Sequence, residues 1–455
     1  MSTRRFAQLL TEVPGPRSRE LTALESAYLA PGIQQISTLS GLAMERGEGA
    51  VLIDVDGNRY LDFVAGIGVA SIGHGHPALT EALAQQAARL SCGSFTSAAR
   101  ASLLRRIVEN SPDPRLCRVQ LYSGGAEAVE SALRLARAYT KRHEVLAFWG
   151  GFHGKTGGVI GLMGSTFKQG LGPVTPGQHL APYADCSRCP FLLKPDSCGL
   201  YCVEFLRSFI SHNTSGSLAA ILVEPIQGTA GNIIPPPGWL TAVQKVAKEL
   251  GALLIVDEMI TGWGRTGQLW ASAGAGLAPD IVTFGKGVAA GFPVSGLLAT
   301  QELMSAEPWC LPSFSSSSFG GNPLAAAAAD AVTRTIVAEQ LPENAKRVGA
   351  QLLLGLQQLQ QRHEVLGEVR GRGLLLGVDL VADRKTLTPL DRASCEQLFF
   401  ACLRRGLLTM SYAPRLRINP PLVLTSEQAA EGLEILDEAL TELARNRSGR
   451  AVTAS

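Results

Sequence analysis

No sign of charge dominates this chain: Lys and Arg number 41 and Asp and Glu 39 over 455 residues. A field that would gather nucleic acid or an anionic membrane is therefore missing. No apolar stretch long enough for a signal peptide or a membrane span follows Arg4 and Arg5, and the 46% apolar content is spread along the chain. That pattern predicts a soluble, cytoplasmic protein. Nine cysteines are too few for a disulfide framework in a chain of this length, and internal repeats are absent. What remains is an evenly mixed sequence, long enough for two or three domains and a large buried core.

The most informative stretch runs from Leu253 to Lys286. Leu253, Leu254, Ile255 and Val256 read as a strand buried on both faces, and the run stops abruptly at Asp257 and Glu258. After a glycine-broken loop, Thr261 to Gly267, a second apolar run (Ile281 to Phe284) leads into Gly285, Lys286 and Gly287. In an open parallel sheet, ligands sit beyond the carboxyl ends of the strands, so Asp257 and Lys286 would both aim at one ligand. An aldehyde cofactor with a basic ring nitrogen suits that pair.

Other segments fit around it. Val119 to Tyr122 reads as a strand, followed by Ser123-Gly124-Gly125-Ala126-Glu127-Ala128 and an amphipathic helix to about Lys141. A strand, a Gly-rich turn and a helix start present free N–H groups to a phosphate; an ordinary βα loop is an equal reading of the turn alone. Val145 to Phe148 ends at Gly150-Gly151-Phe152-His153-Gly154, where Phe152 either stacks on a ring or belongs to the core. Ala219 to Val223 ends in Glu224, and Pro236 to Glu249 follows as a helix. This alternation implies βαβ units and a mostly parallel sheet.

Up to about residue 50 the periodicity is weak, which predicts an arm ordered by a partner surface; Val51 to Phe63 reads as a hairpin and Ala78 to Leu90 as a helix. Ser313 to Pro323 is a Ser/Gly-rich loop before an alanine-rich helix, Leu324 to Val337. From about 338 the order changes to helix, strand, strand and helix around a strand at Leu374 to Leu380, with a frayed end after Arg447. The division expected is 1–75 (arm and part of a small domain), 76–330 (a large domain) and 331–455 (the rest of the small α/β domain).

Seven motifs occur in order: Gly-Gly-Ala-Glu-Ala, Phe-His-Gly-Lys-Thr, Val-Glu-Pro-Ile-Gln-Gly, Val-Asp-Glu-Met-Ile-Thr-Gly-Trp-Gly-Arg-Thr-Gly, Gly-Lys-Gly, Phe-Gly-Gly-Asn-Pro and Leu-Arg-Ile-Asn-Pro-Pro-Leu. Together, from about Val51 to about Leu436, they resemble the class III aminotransferases, pyridoxal-phosphate enzymes of fold type I. The resemblance implies a seven-stranded, mostly parallel sheet with a smaller α/β domain built from both chain ends. It implies transfer of an amino group between an amino acid or ω-amino compound and a 2-oxo acid, with racemisation or elimination as the alternative outcome. Lys286 would hold pyridoxal 5′-phosphate as a Schiff base and act as general base and acid. Asp257 would keep the ring nitrogen protonated. Gly125 and Ala126 would bind the phosphate through N–H groups, Phe152 and Met259 would cover the two ring faces, and Glu224 would complete the cofactor set. Ser318 stands where the family has a Thr reaching the neighbouring subunit's phosphate, which implies a homodimer and leaves a dimer of dimers open. Arg417 would grip the substrate carboxylate. His153 is read as structural and Arg415 as a surface charge.

Several positions depart from the best-known relatives. Thr229 replaces the glutamate that closes over this arginine in 4-aminobutyrate and ornithine aminotransferases, so the carboxylate site of Arg417 should stay available. Ile260 replaces a glutamine near the phenolic oxygen, Ile67 a glutamine that favours decarboxylation, and Lys155 an arginine for a second carboxylate. Between residues 181 and 209 lies an insertion with Cys186-Ser187-Arg188-Cys189 and Cys198-Gly199-Leu200-Tyr201-Cys202. Its spacing is compatible with a zinc or iron–sulfur site, with a disulfide, or with free thiols packed locally.

Overall fold

The computed structural model describes residues 5–91, 93–164 and 166–453, with side chains described through Arg447. Two compact units are formed, Met1–Pro77 with Glu343–Ser455, and Ala78–Pro342.

In the first unit, β1 (Met44–Glu48), β2 (Val51–Asp54) and β3 (Arg59–Asp62) form an antiparallel meander. The turn joining β2 and β3 is held by Asp54, whose carboxylate accepts the N–H groups of Asp56 and Asn58, while Gly57 takes a positive φ of 87°. The amino-terminal segment lies on its own unit. Glu431 accepts the N–H groups of Arg5, Phe6 and Ala7, Asn58 those of Leu10 and Thr11, and Asp56 those of Arg17 and Ser18. Each of those side chains lies 38 residues or more along the chain from the group it holds, which is why periodicity gave no sign of the anchoring or of the helix at Pro16–Ser26.

The second unit is built on a seven-stranded sheet. Its strands are β4 (Arg118–Tyr122), β5 (Glu144–Phe148), β6 (Gln178–Ala181), β7 (Leu218–Val223), β8 (Leu253–Asp257), β9 (Ile281–Phe284) and β10 (Ser295–Ala299). They stand in the order β4-β10-β9-β8-β7-β5-β6. Only β10 is antiparallel, pairing with β4 on one side and β9 on the other. Strands β5, β7, β8 and β9 are buried along their whole length, as continuous apolar runs covered on both faces require. The helix Gly125–Thr140 supplies much of that cover through Ala128, Val129, Ala132, Leu133 and Ala136.

The chain then returns to the first unit through β11 (Leu366–Arg372), β12 (Leu375–Asp383), β13 (Thr388–Pro389), β14 (Leu407–Leu408) and β15 (Arg415–Ile418). β12 pairs with β11, β13 and β15, and β14 adds in parallel to β3. The last helix runs along the backbone from Ser426 to Thr453, past the fraying expected after Arg447; side chains beyond Arg447 lie outside the described residues. Among the described residues no helix is long and apolar enough to cross a membrane.

Candidate active site

Asp257 is the last residue of β8 and Lys286 follows the end of β9, its parallel neighbour, where Asp257 pairs in register with Thr283. Two adjacent strand ends thus carry the carboxylate and the amine. Asp257 is 1% exposed. Its Oδ1 accepts the N–H of Met259 at 3.0 Å, and its Oδ2 faces His153 Nδ1 at 2.7 Å. Lys286, between Gly285 and Gly287, adopts a φ of 42°, a left-handed conformation that is strained for a lysine. Strain of that kind survives only where the surrounding fold dictates it.

His153, read from the sequence as structural, forms part of a buried ionic cluster. Burial works against its charged form, but the hydrogen bond and charge of Asp257, with Glu224 behind, raise its pKa above the ordinary value. Its Nδ1–H therefore donates to the Asp257 carboxylate and fixes it in place. Glu224, at the end of β7, accepts the N–H of Phe152 at 2.9 Å and of Gly228 at 3.1 Å. Burial pushes its carboxyl up, His153 pulls it back, and Asp257 pushes it up again, leaving it raised. The Phe-His-Gly motif carried this signal, but the partner lay 104 residues away.

The start of the helix Gly125–Thr140 packs against Met259 and Gly154, on the loops that follow β8 and β5. Glu127 folds back so that its Oε2 accepts the N–H groups of Ser123 and Gly124. Among the described residues the N–H groups of Gly125 and Ala126 donate to nothing, two open donors at the positive end of a helix. Met259 packs between this turn and the lysine loop: a Cβ on Gly125 would stand 3.2 Å from its Sδ, and one on Gly285 would stand 2.7 Å away. Gly154 has no room for a side chain either, since its Cβ would meet that of Ala126 at 2.5 Å. Phe152 is half-buried and meets Phe167 edge-on at 5.8 Å, with Lys155 over the Phe167 ring. Lys155 is thus engaged with an aromatic ring and exposed. A buried carboxyl group at Asp257, a lysine in a strained turn, two open N–H groups, and the side chains of Met259 and Phe152 on the loops beside them match in kind what pyridoxal phosphate needs: a partner for its ring nitrogen, an amine for its aldehyde, donors for its phosphate and cover for its ring. Ser318 lies exposed on the loop before the helix Pro323–Ala338.

In the first unit Arg417 lies on β15 opposite Gly377 of β12. It is half-buried, and among the described residues its guanidinium has no carboxylate partner. Burial lowers its pKa. Arg415 is also half-buried and lies 3.9 Å from Asp379, which itself pairs with Arg370; it belongs to a charged cluster where the sequence suggested a surface cation.

The four insertion cysteines wall one cavity together with Phe191 and Pro236. All four thiols are free. Burial pushes Cys186 up to about 11, with Cys202, Cys198 and Cys189 adding to the effect. Among the described residues no three His, Cys, Asp or Glu side chains stand where they would hold a metal ion.

Comparison with known proteins agrees with this geometry. The chain is 34% identical to alanine/serine racemase of Pyrococcus horikoshii over 98% of this chain and 95% of that protein. It is also 34% identical to acetylornithine aminotransferase of Caldanaerobacter subterraneus over 88% of this chain and 95% of the relative. A crystal structure of an amine transaminase from an uncultivated Pseudomonas species, in its PLP-bound form, superposes with a TM-score of 0.86 at 32% identity, covering 91% of this chain and 98% of that one. The family model for class-III aminotransferases matches residues 34–440. The fold is accordingly that of the fold type I transaminases, and the chain belongs to the class-III aminotransferase family.

Proposed function

We propose that this enzyme uses pyridoxal 5′-phosphate to move an amino group between an amino acid or ω-amino compound and a 2-oxo acid. The observation that carries the reading is the pair at the ends of β8 and β9: buried Asp257 hydrogen-bonded by His153, and Lys286 held in a strained turn. Bound pyridoxal phosphate supplies an aldehyde that condenses with primary amines and a cationic ring that accepts the electrons left when Cα loses its proton. Lys286 Nζ takes that proton from substrate Cα and later returns one. Asp257 holds a proton on the ring nitrogen, and His153 fixes the Asp257 carboxylate. The N–H groups of Gly125 and Ala126 take the phosphate, Phe152 and Met259 confine the ring, and Glu224 holds the Phe152 loop through its backbone N–H. Arg417 takes the substrate carboxylate. Ser318, exposed on its loop, reaches the phosphate of a second copy, so the working unit is a homodimer. A cytoplasmic location goes with this metabolic role.

Racemisation is the second reading, favoured by the alanine/serine racemase that matches nearly the whole chain. It uses the same proton abstraction and returns the proton to the other face of Cα. One experiment separates them. Holoenzyme incubated with a single L-amino acid and no 2-oxo acid should convert one equivalent of cofactor to pyridoxamine phosphate and stop. Continued formation of the D-amino acid, with the cofactor unchanged, would establish the racemase instead.

A further inference from the structure

The turn that offers the N–H groups of Gly125 and Ala126 is held from a strand that no motif marks. Ser295 is the first residue of β10, the antiparallel strand, and pairs in register with Tyr122, the last residue of β4. Because β10 runs against β4, it begins where β4 gives way to Ser123 and Gly124. Ser295 is 1% exposed, and its hydroxyl donates to the Gly124 carbonyl at 2.7 Å. That carbonyl also accepts the N–H of Ala128 at 3.3 Å, so both its lone pairs are engaged. At the other end of Gly124, Glu127 Oε2 accepts the Gly124 N–H at 3.0 Å and the Ser123 N–H at 3.1 Å, while Oε1 accepts the Ser317 hydroxyl at 3.2 Å. Gly124 is thus gripped at its N–H and at its C=O, although the residue itself lies exposed.

A trans peptide unit is planar, so the C=O of Gly124 and the N–H of Gly125 point in opposite directions. Fixing one fixes the other. A donor on the carbonyl also polarises the amide and makes its N–H a stronger donor. Glu127 takes up the N–H groups of Ser123 and Gly124, which leaves those of Gly125 and Ala126 as the pair for an anion among the described residues. We infer that Ser295 is a positioning residue for the cofactor phosphate, aiming and strengthening the Gly125 N–H through the Gly124 carbonyl. A Cβ placed on Gly285 would stand 3.3 Å from that of Ser295, so the same side chain borders the turn that carries Lys286. The inference rests on the reading of Gly125 and Ala126 as the phosphate site.

The test compares pyridoxal 5′-phosphate with pyridoxal, which has the same ring and aldehyde and no phosphate. Each is titrated into the full-length, cofactor-free chain and into its Ser295→Ala and Ser295→Cys variants, followed by the absorption of the bound aldehyde, with a melting curve for each protein. Ser295→Ala removes one oxygen, and Ser295→Cys keeps the shape with a much weaker donor. Both should weaken the phosphate ester about fivefold, the worth of one hydrogen bond, and leave pyridoxal unchanged. A loss shared equally by the two ligands, or a lowered midpoint with an unchanged ratio of affinities, overturns the role of Ser295, since a hydroxyl that serves only the fold would do that. Unchanged binding of both ligands overturns it too, while a parent that prefers the phosphate ester leaves the Gly125–Ala126 site standing. If the parent binds the two ligands equally, the reading of Gly125 and Ala126 fails and the inference with it.

Discussion

A histidine sealed from water normally loses its proton; His153 keeps its own because Asp257 accepts from it at 2.7 Å. The consequence for stability has a definite sign. The folded pKa lies above the unfolded one, so the pair's contribution is fully present below about pH 6.5 and is lost as pH rises through the folded value. With cofactor loading matched, the midpoint difference between the parent and His153→Gln should be largest below pH 6.5 and shrink at alkaline pH. A difference that stays constant across the range would refute the assignment. Lys286→Ala should abolish both turnover and the visible absorption of bound cofactor, measured by stopped assay and spectrum; residual turnover would remove its role. At this scale the sequence was most legible where one residue type has few uses. A lysine between two glycines at a strand end says much, whereas the partner of His153 is a side chain that it meets only after folding.

Among elements, the start of the helix Gly125–Thr140 and the Phe152 loop are fitted to each other. Gly154 takes a φ of 121° and has Ala126 against the place where its Cβ would be. Gly154→Ala should therefore cost about 1–3 kcal/mol in denaturant unfolding. It should also weaken cofactor binding, because the displaced turn carries the N–H groups of Gly125 and Ala126. The cysteine insertion is an element whose spacing leaves a metal site, a disulfide and free thiols as its readings. The C-x-x-C pair lies in a short turn and Cys202 in the first turn of the helix Tyr201–Asn213, and the four thiols line one cavity with no disulfide among them. Titration of unreduced, denatured protein should give at least eight thiols per chain, since eight are free among the described residues. One disulfide among the nine cysteines would leave seven, and stoichiometric zinc or iron in the native protein would restore the metal reading.

For the whole molecule, the exposed Ser318 and the exposed apolar side chains Phe314, Phe319 and Leu90 suit a second copy of the chain. Light scattering of the holoenzyme should return twice the 48.1 kDa of one chain or a multiple of that; a monomer carrying full activity would rule out a shared phosphate site. The sequence by itself determined the α/β class, the mostly parallel sheet and the family, because fully apolar strands and glycine-marked turns are local signals that survive in linear order. Tertiary structure alone decided the rest. It placed the antiparallel β10 inside the sheet, tied the amino-terminal segment down through Glu431, Asn58 and Asp56, and gave Asp257 its histidine. Each of these joins residues far apart or on different elements, and no periodicity in a chain encodes which distant side chain will be waiting.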